Sequence, residues 1–396
     1  MNLPARFALP ALCLIVFTDL MGFGIILPLL PYAADTFGGS GLAIGTLFAS
    51  YSIAQLISAP LLGRASDRFG RKPVLLLALS GSVVSALLMA NTTSLTGLLV
   101  ARVVAGACGG SIAVAHAFAA DLTPPAQRTR SLGLLGAAVG CGFVAGPAIG
   151  ALLAHQGLSG AGVVSACVAA AALCLAAAAL PDPRGNGAAQ RRAHKQKTEH
   201  RTGPVGMRPL LVAAFCTTAA FCAMEATLAL LGTDTYGFGP RALGWMLAAA
   251  GITMAVAQGG LAAPLAARFG TRTLATVGAL VLGAGLGCLP LLPAWGAVTA
   301  LMAASIGQGL LAPALSTLVA DAAPDRTGAA MGAVQSAMAL ARATAPALAG
   351  TAYDLRPLLP YLSALALAVV AAACIRALPG PVRTRANEPA VKENPA

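Results

Sequence analysis

The chain has 396 residues, of which 58% are hydrophobic and only 10% charged, and its formal charge is +12. Soluble domains carry roughly 25% charged residues, so this composition excludes an ordinary soluble enzyme and points to a bundle of membrane helices. Its many Gly and Ala residues suit helices that pack closely where no hydrophobic effect drives them together.

From the N-terminus onward, apolar runs cover 7–30, 43–62, 73–91, 96–120, 131–154 and 161–180, then 209–232, 242–263, 273–292, 296–320, 328–352 and 359–378. A spanning helix needs about 20 such residues, so each run predicts one crossing. The first run is too long for the apolar core of a cleavable signal peptide, and no small-residue cleavage site follows; it reads as a spanning helix. A cytoplasmic N-terminus puts Arg6, the 63–72 loop, Arg128, Arg130, Arg268, Arg272, Arg326 and Arg376 on one face, with the basic residues of 181–208 and of the C-terminal tail. Only Arg241 and Arg356 fall on the other face, and Arg102 and Arg342 lie inside spans. The asymmetry predicts that both termini are cytoplasmic. It also excludes nucleic acid as a partner, because the positive charge marks topology and is no binding footprint.

Residues 181–208 are polar, basic and without apolar periodicity, which predicts a cytoplasmic linker between two six-helix bundles, 1–180 and 209–378; 379–396 reads as a cytoplasmic tail. The halves echo each other. Arg68-Phe69-Gly70 returns as Arg268-Phe269-Gly270, Asp121 and Pro124 as Asp321 and Pro324, and Pro147 as Pro346. Repeated halves of this kind are typical of secondary transporters, whose substrate sites lie near the midplane between the repeats. None of the nine cysteines forms a CxxC pair or keeps metal-ligand company, so they read as small apolar helix residues and no metal site is expected. There is no Ser-His-Asp set and no phosphate loop. An enzyme is not expected, nor any cofactor other than protons as coupling ion.

Four charges lie at membrane depth: Asp19, Arg102, Glu225 and Arg342. Each costs about 2.5–3.5 kcal/mol even on the mild insertion scale, so each is a functional candidate. Asp19 is about twelve residues into the first span, roughly 18 Å of rise, near mid-bilayer. Asp19 and Glu225 are the candidate proton carriers; the alternative for Asp19 is a static pair with Arg102. Arg342 can meet Glu225, the carbonyls of another helix or an anionic substrate. His116 is a proton relay or a hydrogen-bonded packing residue. Gln55, Gln258 and Gln308 line a cavity or bond neighbouring helices. Gly142, Gly146 and Gly150 share one helix face, which lets another backbone approach, and Pro147 removes one backbone donor there. Asp67, among Arg64, Arg68, Arg71 and Lys72, can form a charge latch that is made in one state and broken in the other; the alternative is a simple loop anchor.

Gly63-Arg64-Ala65-Ser66-Asp67-Arg68-Phe69-Gly70-Arg71-Lys72 resembles the loop motif of the major facilitator superfamily, G-x-x-x-D-R-x-G-R-[RK]. Arg102 with Gly106 and Gly109 resembles its fourth-helix motif. Gly142-Phe143-Val144-Ala145-Gly146-Pro147-Ala148-Ile149-Gly150 is similar to G-x-x-x-G-P-x-x-G, which marks proton-driven exporters in this family. Asp19-Leu20-Met21-Gly22-Phe23-Gly24, with Pro28 and Pro31, is similar to the first helix of tetracycline-type exporters and related twelve-span drug:proton antiporters. The resemblance implies the all-α major facilitator fold in a bacterial inner membrane, a monomer, and alternating access with Gly63, Asp67, Arg68, Gly70 and Arg71 as the latch. The implied function is proton-coupled efflux of small molecules. The few polar residues at the walls favour lipophilic or amphiphilic drug-like compounds; a proton symporter or facilitator for a small metabolite is the alternative. One departure limits the resemblance: Met254 and Leu282 stand where tetracycline exporters carry a histidine and an aspartate, so their proton path does not carry over.

Overall fold

The computed structural model describes residues 5–123, 128–181, 207–323 and 327–378, which form only helices and short connections. Twelve rods follow in order. The first six are α1 (Ala5–Ile26, resuming as Leu30–Thr36), α2 (Gly41–Phe69), α3 (Arg71–Asn91), α4 (Leu95–Cys108, resuming as Ser111–Leu122), α5 (Arg128–Leu152) and α6 (Gly157–Ala179). The others are α7 (Arg208–Tyr236), α8 (Pro240–Val256, resuming as Ala262–Phe269), α9 (Thr271–Cys288), α10 (Ala294–Ala322), α11 (Thr327–Leu355) and α12 (Leu359–Arg376). Eleven are long and apolar enough to cross a membrane. The remaining rod, α11, has the length, but Gln335, Ser336 and Arg342 make it more polar. Large apolar side chains such as Leu56, Ile57, Leu77 and Leu348 lie exposed on the outside, as expected of surface that meets lipid. Most of the predicted linker and the whole C-terminal tail lie outside the described residues, as do Pro124, Pro324 and Arg326.

Each apolar run falls on one rod, but α2 and α8 continue past the apolar stretch through their polar turns. They stop at Gly70 and Gly270, whose φ of 102° and 84° suits glycine alone. Three rods are interrupted. Pro28, which lacks an N–H, lies in the gap at residues 27–29 of α1. Gly109 and Gly110 separate the two pieces of α4, and the π-turn Ala257–Leu261, with Gly259 and Gly260, separates those of α8.

The two sets of six rods repeat one packing scheme. α1 packs on α5 and α6 as α7 packs on α11 and α12. α3 packs on α4 and α6 as α9 does on α10 and α12, and α2 on α4 as α8 on α10. Each set has its own apolar core, around Leu12, Leu75, Phe118 and Leu135 in one and Leu210, Leu282, Leu301 and Tyr361 in the other. Even the tying residues correspond. The Lys72 ammonium, at the start of α3, donates to Ala177 O (2.8 Å) and Leu180 O (2.7 Å) at the end of α6. Arg272, at the start of α9, donates to Ile375 O and Arg376 O at the end of α12. A cation over the last carbonyls completes a helix end. Lys72→Ala is therefore expected to lower thermal stability by about 1 kcal/mol, and a melting curve in detergent checks it; an unchanged midpoint would contradict the capping role.

The sets meet along two seams, α2 on α11 and α5 on α8. Both seams are tight at the end away from Gly70 and Gly270, here called the far end. A Cβ on Gly41 would lie 2.6 Å from Gly350 O, and one on Gly244 would lie 2.6 Å from the Ala151 Cβ. Gly45 sits directly on the Pro346 carbonyl. Toward the other, basic end, a Cβ on Gly63 of α2, Gly133 or Gly136 of α5, Gly259 or Gly260 of α8, or Gly332 of α11 would meet nothing within 4 Å. The same four rods are thus closed at the far end and splayed at the basic end.

Candidate functional site

The break in α4 organises the polar interior of the first set. A break loosens the helix's own carbonyl partners, and side chains of α2 add donors there: Gln55 Nε2 donates to Gly109 O (2.9 Å), and the Ser58 hydroxyl donates to Gly106 O (3.2 Å), which also takes the N–H of Gly109. Gln55 is therefore an interhelical tie. The second piece of α4 begins at Ser111, whose hydroxyl donates to Asp19 Oδ2 at 2.8 Å. Asp19, Ser82, Tyr51, Arg102 and Ser111 line one internal chamber of about 60 Å³, walled only by α1, α2, α3, α4 and α6. It has room for a few waters.

Arg102 is buried in that chamber, yet it makes no ion pair with Asp19 within 4.0 Å. Its guanidinium lies 4.7 Å from the Tyr51 ring centre, 5.3 Å from that of Phe23 and 5.6 Å from that of Phe48, and Nε donates to Leu47 O at 3.2 Å. A desolvated cation over an aromatic face gains about 2 kcal/mol or more. The aromatic cage holds the charge, and the static Asp19–Arg102 pair weighed from the sequence is not formed.

Glu225 belongs to the boundary between the sets. It shares a crevice with Leu27, Pro31 and Phe48 from one side and Leu228, Leu243 and Leu247 from the other. Among the described residues it has no hydrogen bond and no ion pair within 4.0 Å. The charges that act on it are Arg342 first and Arg102 second. Arg342, half-buried on α11, likewise has no carboxylate within 4.0 Å among the described residues, and it acts electrostatically on Tyr51 and Cys222. Tyr51 also feels Arg102 and Asp19. Three of the four charges at membrane depth, Asp19, Arg102 and Arg342, therefore act on one tyrosine of α2, a residue the sequence gives no reason to single out, and Glu225 joins them through the two arginines.

The other candidates scatter. His116 Nδ1 bonds Ile112 O of its own helix at 2.8 Å. Gln258 is exposed in the π-turn of α8. Gln308, half-buried on α10, keeps a buried Oε1 with no partner. Gly142, Gly146 and Gly150 lie against α1, at Leu20, Gly24 and Ile25, so the close approach read from their spacing is made within the first set. Pro147 lies against Gly24 as well.

At the basic end, Arg71 bonds Asp67 (2.6 Å), Asp121 (2.8 Å) and the Ser66 hydroxyl (2.6 Å). Arg68 lies over its own neighbour Phe69, as Arg268 lies over Phe269. All these partners belong to the same set, so Asp67 spans no seam while the basic end is open. At the far end the seam carries polar contacts that sequence reasoning missed. Asp354 accepts from Gly41 N and Leu42 N, and the Tyr32 hydroxyl donates to Phe238 O.

A family model described as "Major Facilitator Superfamily" matches residues 12–346, with a second match over 214–396. The tetracycline resistance protein, class E, of Escherichia coli is 33% identical over 314 residues, 77% of this chain and 77% of its own. The crystal structure of the human organic anion transporter MFSD10 (TETRAN) superposes with a TM-score of 0.70 at 26% identity, covering 94% of this chain and 100% of the other. An inward-facing, occupied bacterial homolog of the human lysosomal transporter Spinster gives a TM-score of 0.75, at 16% identity and 94% and 96% coverage, a likeness of fold.

Proposed function

The chain belongs to the Major Facilitator Superfamily, and from that premise we propose that it is a proton-coupled exporter of small lipophilic or amphiphilic compounds. Two bundles rock about their seams to expose a central cleft alternately to the cytoplasm, at the basic end, and to the outside, at the far end. One observation carries the reading. Two acids at membrane depth, Asp19 and Glu225, lack a cation within 4.0 Å among the described residues. A carboxylate neutralised by a fixed partner has little reason to exchange protons, whereas one without such a partner can hold a proton in one state and release it in the other.

The two acids have different surroundings. Asp19 opens on a hydroxyl-lined chamber within the first bundle, and Glu225 opens on an apolar crevice between the bundles. In our reading Asp19 is the carrier and Glu225 senses substrate, with Arg102 and Tyr51 between them. Met254 and Leu282 pack on Gly309 and Gly307 of α10, which leaves no proton group at the positions used by tetracycline exporters.

Dissipating the proton gradient in cells that overproduce the protein separates export from uptake. The reading expects resistance to an exported compound, found by a growth-inhibition screen, to disappear with a protonophore. Loss of uptake in its place would establish a symporter. A second reading, an organic anion as cargo, is favoured by Arg342, which has no acidic partner among the described residues, and by the likeness to the human organic anion transporter MFSD10. In that case Arg342→Gln abolishes transport of anions and spares that of cations.

A further inference from the structure

The start of α2 needs donors satisfied, and the way this is done reaches across the seam. A helix leaves its first N–H groups without intrahelical partners. Here the Ser40 hydroxyl takes the N–H of Ala43 at 3.3 Å, as an ordinary N-cap does. The other two go to the opposite bundle: Gly41 N donates to Asp354 Oδ1 at 2.7 Å and Leu42 N donates to Asp354 Oδ2 at 2.8 Å. Asp354 is the penultimate residue of α11. Its two oxygens are thus both used by one helix end belonging to the other half, and charge-assisted bonds of this length are the strong kind. Gly41 permits the approach, because a Cβ there would lie 2.6 Å from Asp354 Oδ1.

These bonds are made only if α2 and α11 touch at the far end. Alternating access requires that end to part once in every cycle, and a carboxylate on α11 cannot follow α2 when the bundles rotate. We propose that Asp354 is a positioning residue of the transport cycle, holding α2 on α11 while the basic end is open and releasing it as the far end opens. The Tyr32–Phe238 bond, 2.9 Å and also between the two halves, lies on the same side. The inference rests on alternating access by the family and not on the assignment of the proton carriers.

Hydrogen exchange of the full-length protein in nanodiscs, read by mass spectrometry, tests it without any substrate. Asp354→Ala is expected to raise exchange in the first turn of α2 and around Phe238. It is also expected to slow exchange at the basic ends of α5 and α8, because the population moves about tenfold toward the state open at the far end. Asp354→Asn, which keeps one acceptor and nearly the same shape, is expected to give a smaller shift of the same sign. Faster exchange confined to the first turn of α2, with the basic end unchanged in both variants, would reduce Asp354 to a local cap and overturn the proposal.

Discussion

Asp19→Asn is expected to abolish uphill export while leaving the protein folded and able to equilibrate substrate downhill. The substitution is nearly isosteric. The amide oxygen still accepts from Ser111, 2.8 Å away in the native chain, and the Arg102 cage does not depend on Asp19, since it is built from Phe23, Phe48, Tyr51 and Leu47 O. What disappears is the exchangeable proton. A membrane potential of about 100 mV acts on one elementary charge with about 2.3 kcal/mol, which sustains roughly a fifty-fold concentration ratio. Proteoliposomes with an imposed gradient should therefore fall from that ratio to about one, with counterflow of substrate retained. Uphill export at the native ratio would remove Asp19 from the coupling path.

Gly146→Leu should cost most of the folded protein. A Cβ at Gly146 would stand 2.6 Å from the Gly24 Cα and 2.8 Å from Met21 O, and both neighbours are backbone that no rotamer change can clear. Overpacking in a tight core costs about 1–3 kcal/mol and occasionally more; here a whole side chain has to enter. Loss of most folded protein by size-exclusion chromatography is the expected result. Gly136→Leu, on the same helix but with nothing within 4 Å of a Cβ, provides the control and should behave as the native chain. Equal yields for the two would show that α5 does not lean on α1 as described.

The rods were legible because a spanning helix announces itself by twenty apolar residues regardless of its neighbours. The loop at 63–72 and its echo announce the duplication, and the structure repeats the Arg–Phe stacking and the helix-end ties of Lys72 and Arg272 at each copy, while Ala267 and Thr271 leave the Arg71 ion pairs without a counterpart. The helix interruptions were less visible. Pro28 and the Gly109–Gly110 pair were signals for two of them, but the π-turn at 257–261 changes only the hydrogen-bond register, which composition does not encode. Rare charges could be listed from the sequence, whereas their company could not: Ser111 meets Asp19 from 92 residues away, and Arg102 proved to be held by aromatic rings. Asp354 carries no signal in the sequence, because an acid at the end of a span looks like ordinary interfacial polarity until the facing helix is placed on it.

The most direct test of the account is proton release on substrate binding, measured in weakly buffered detergent with the purified transporter and a compound from the growth screen. The account predicts release from the native protein and none from the Asp19→Asn, Glu225→Gln double variant, with substrate still bound. Release from the double variant equal to that of the native protein would contradict it.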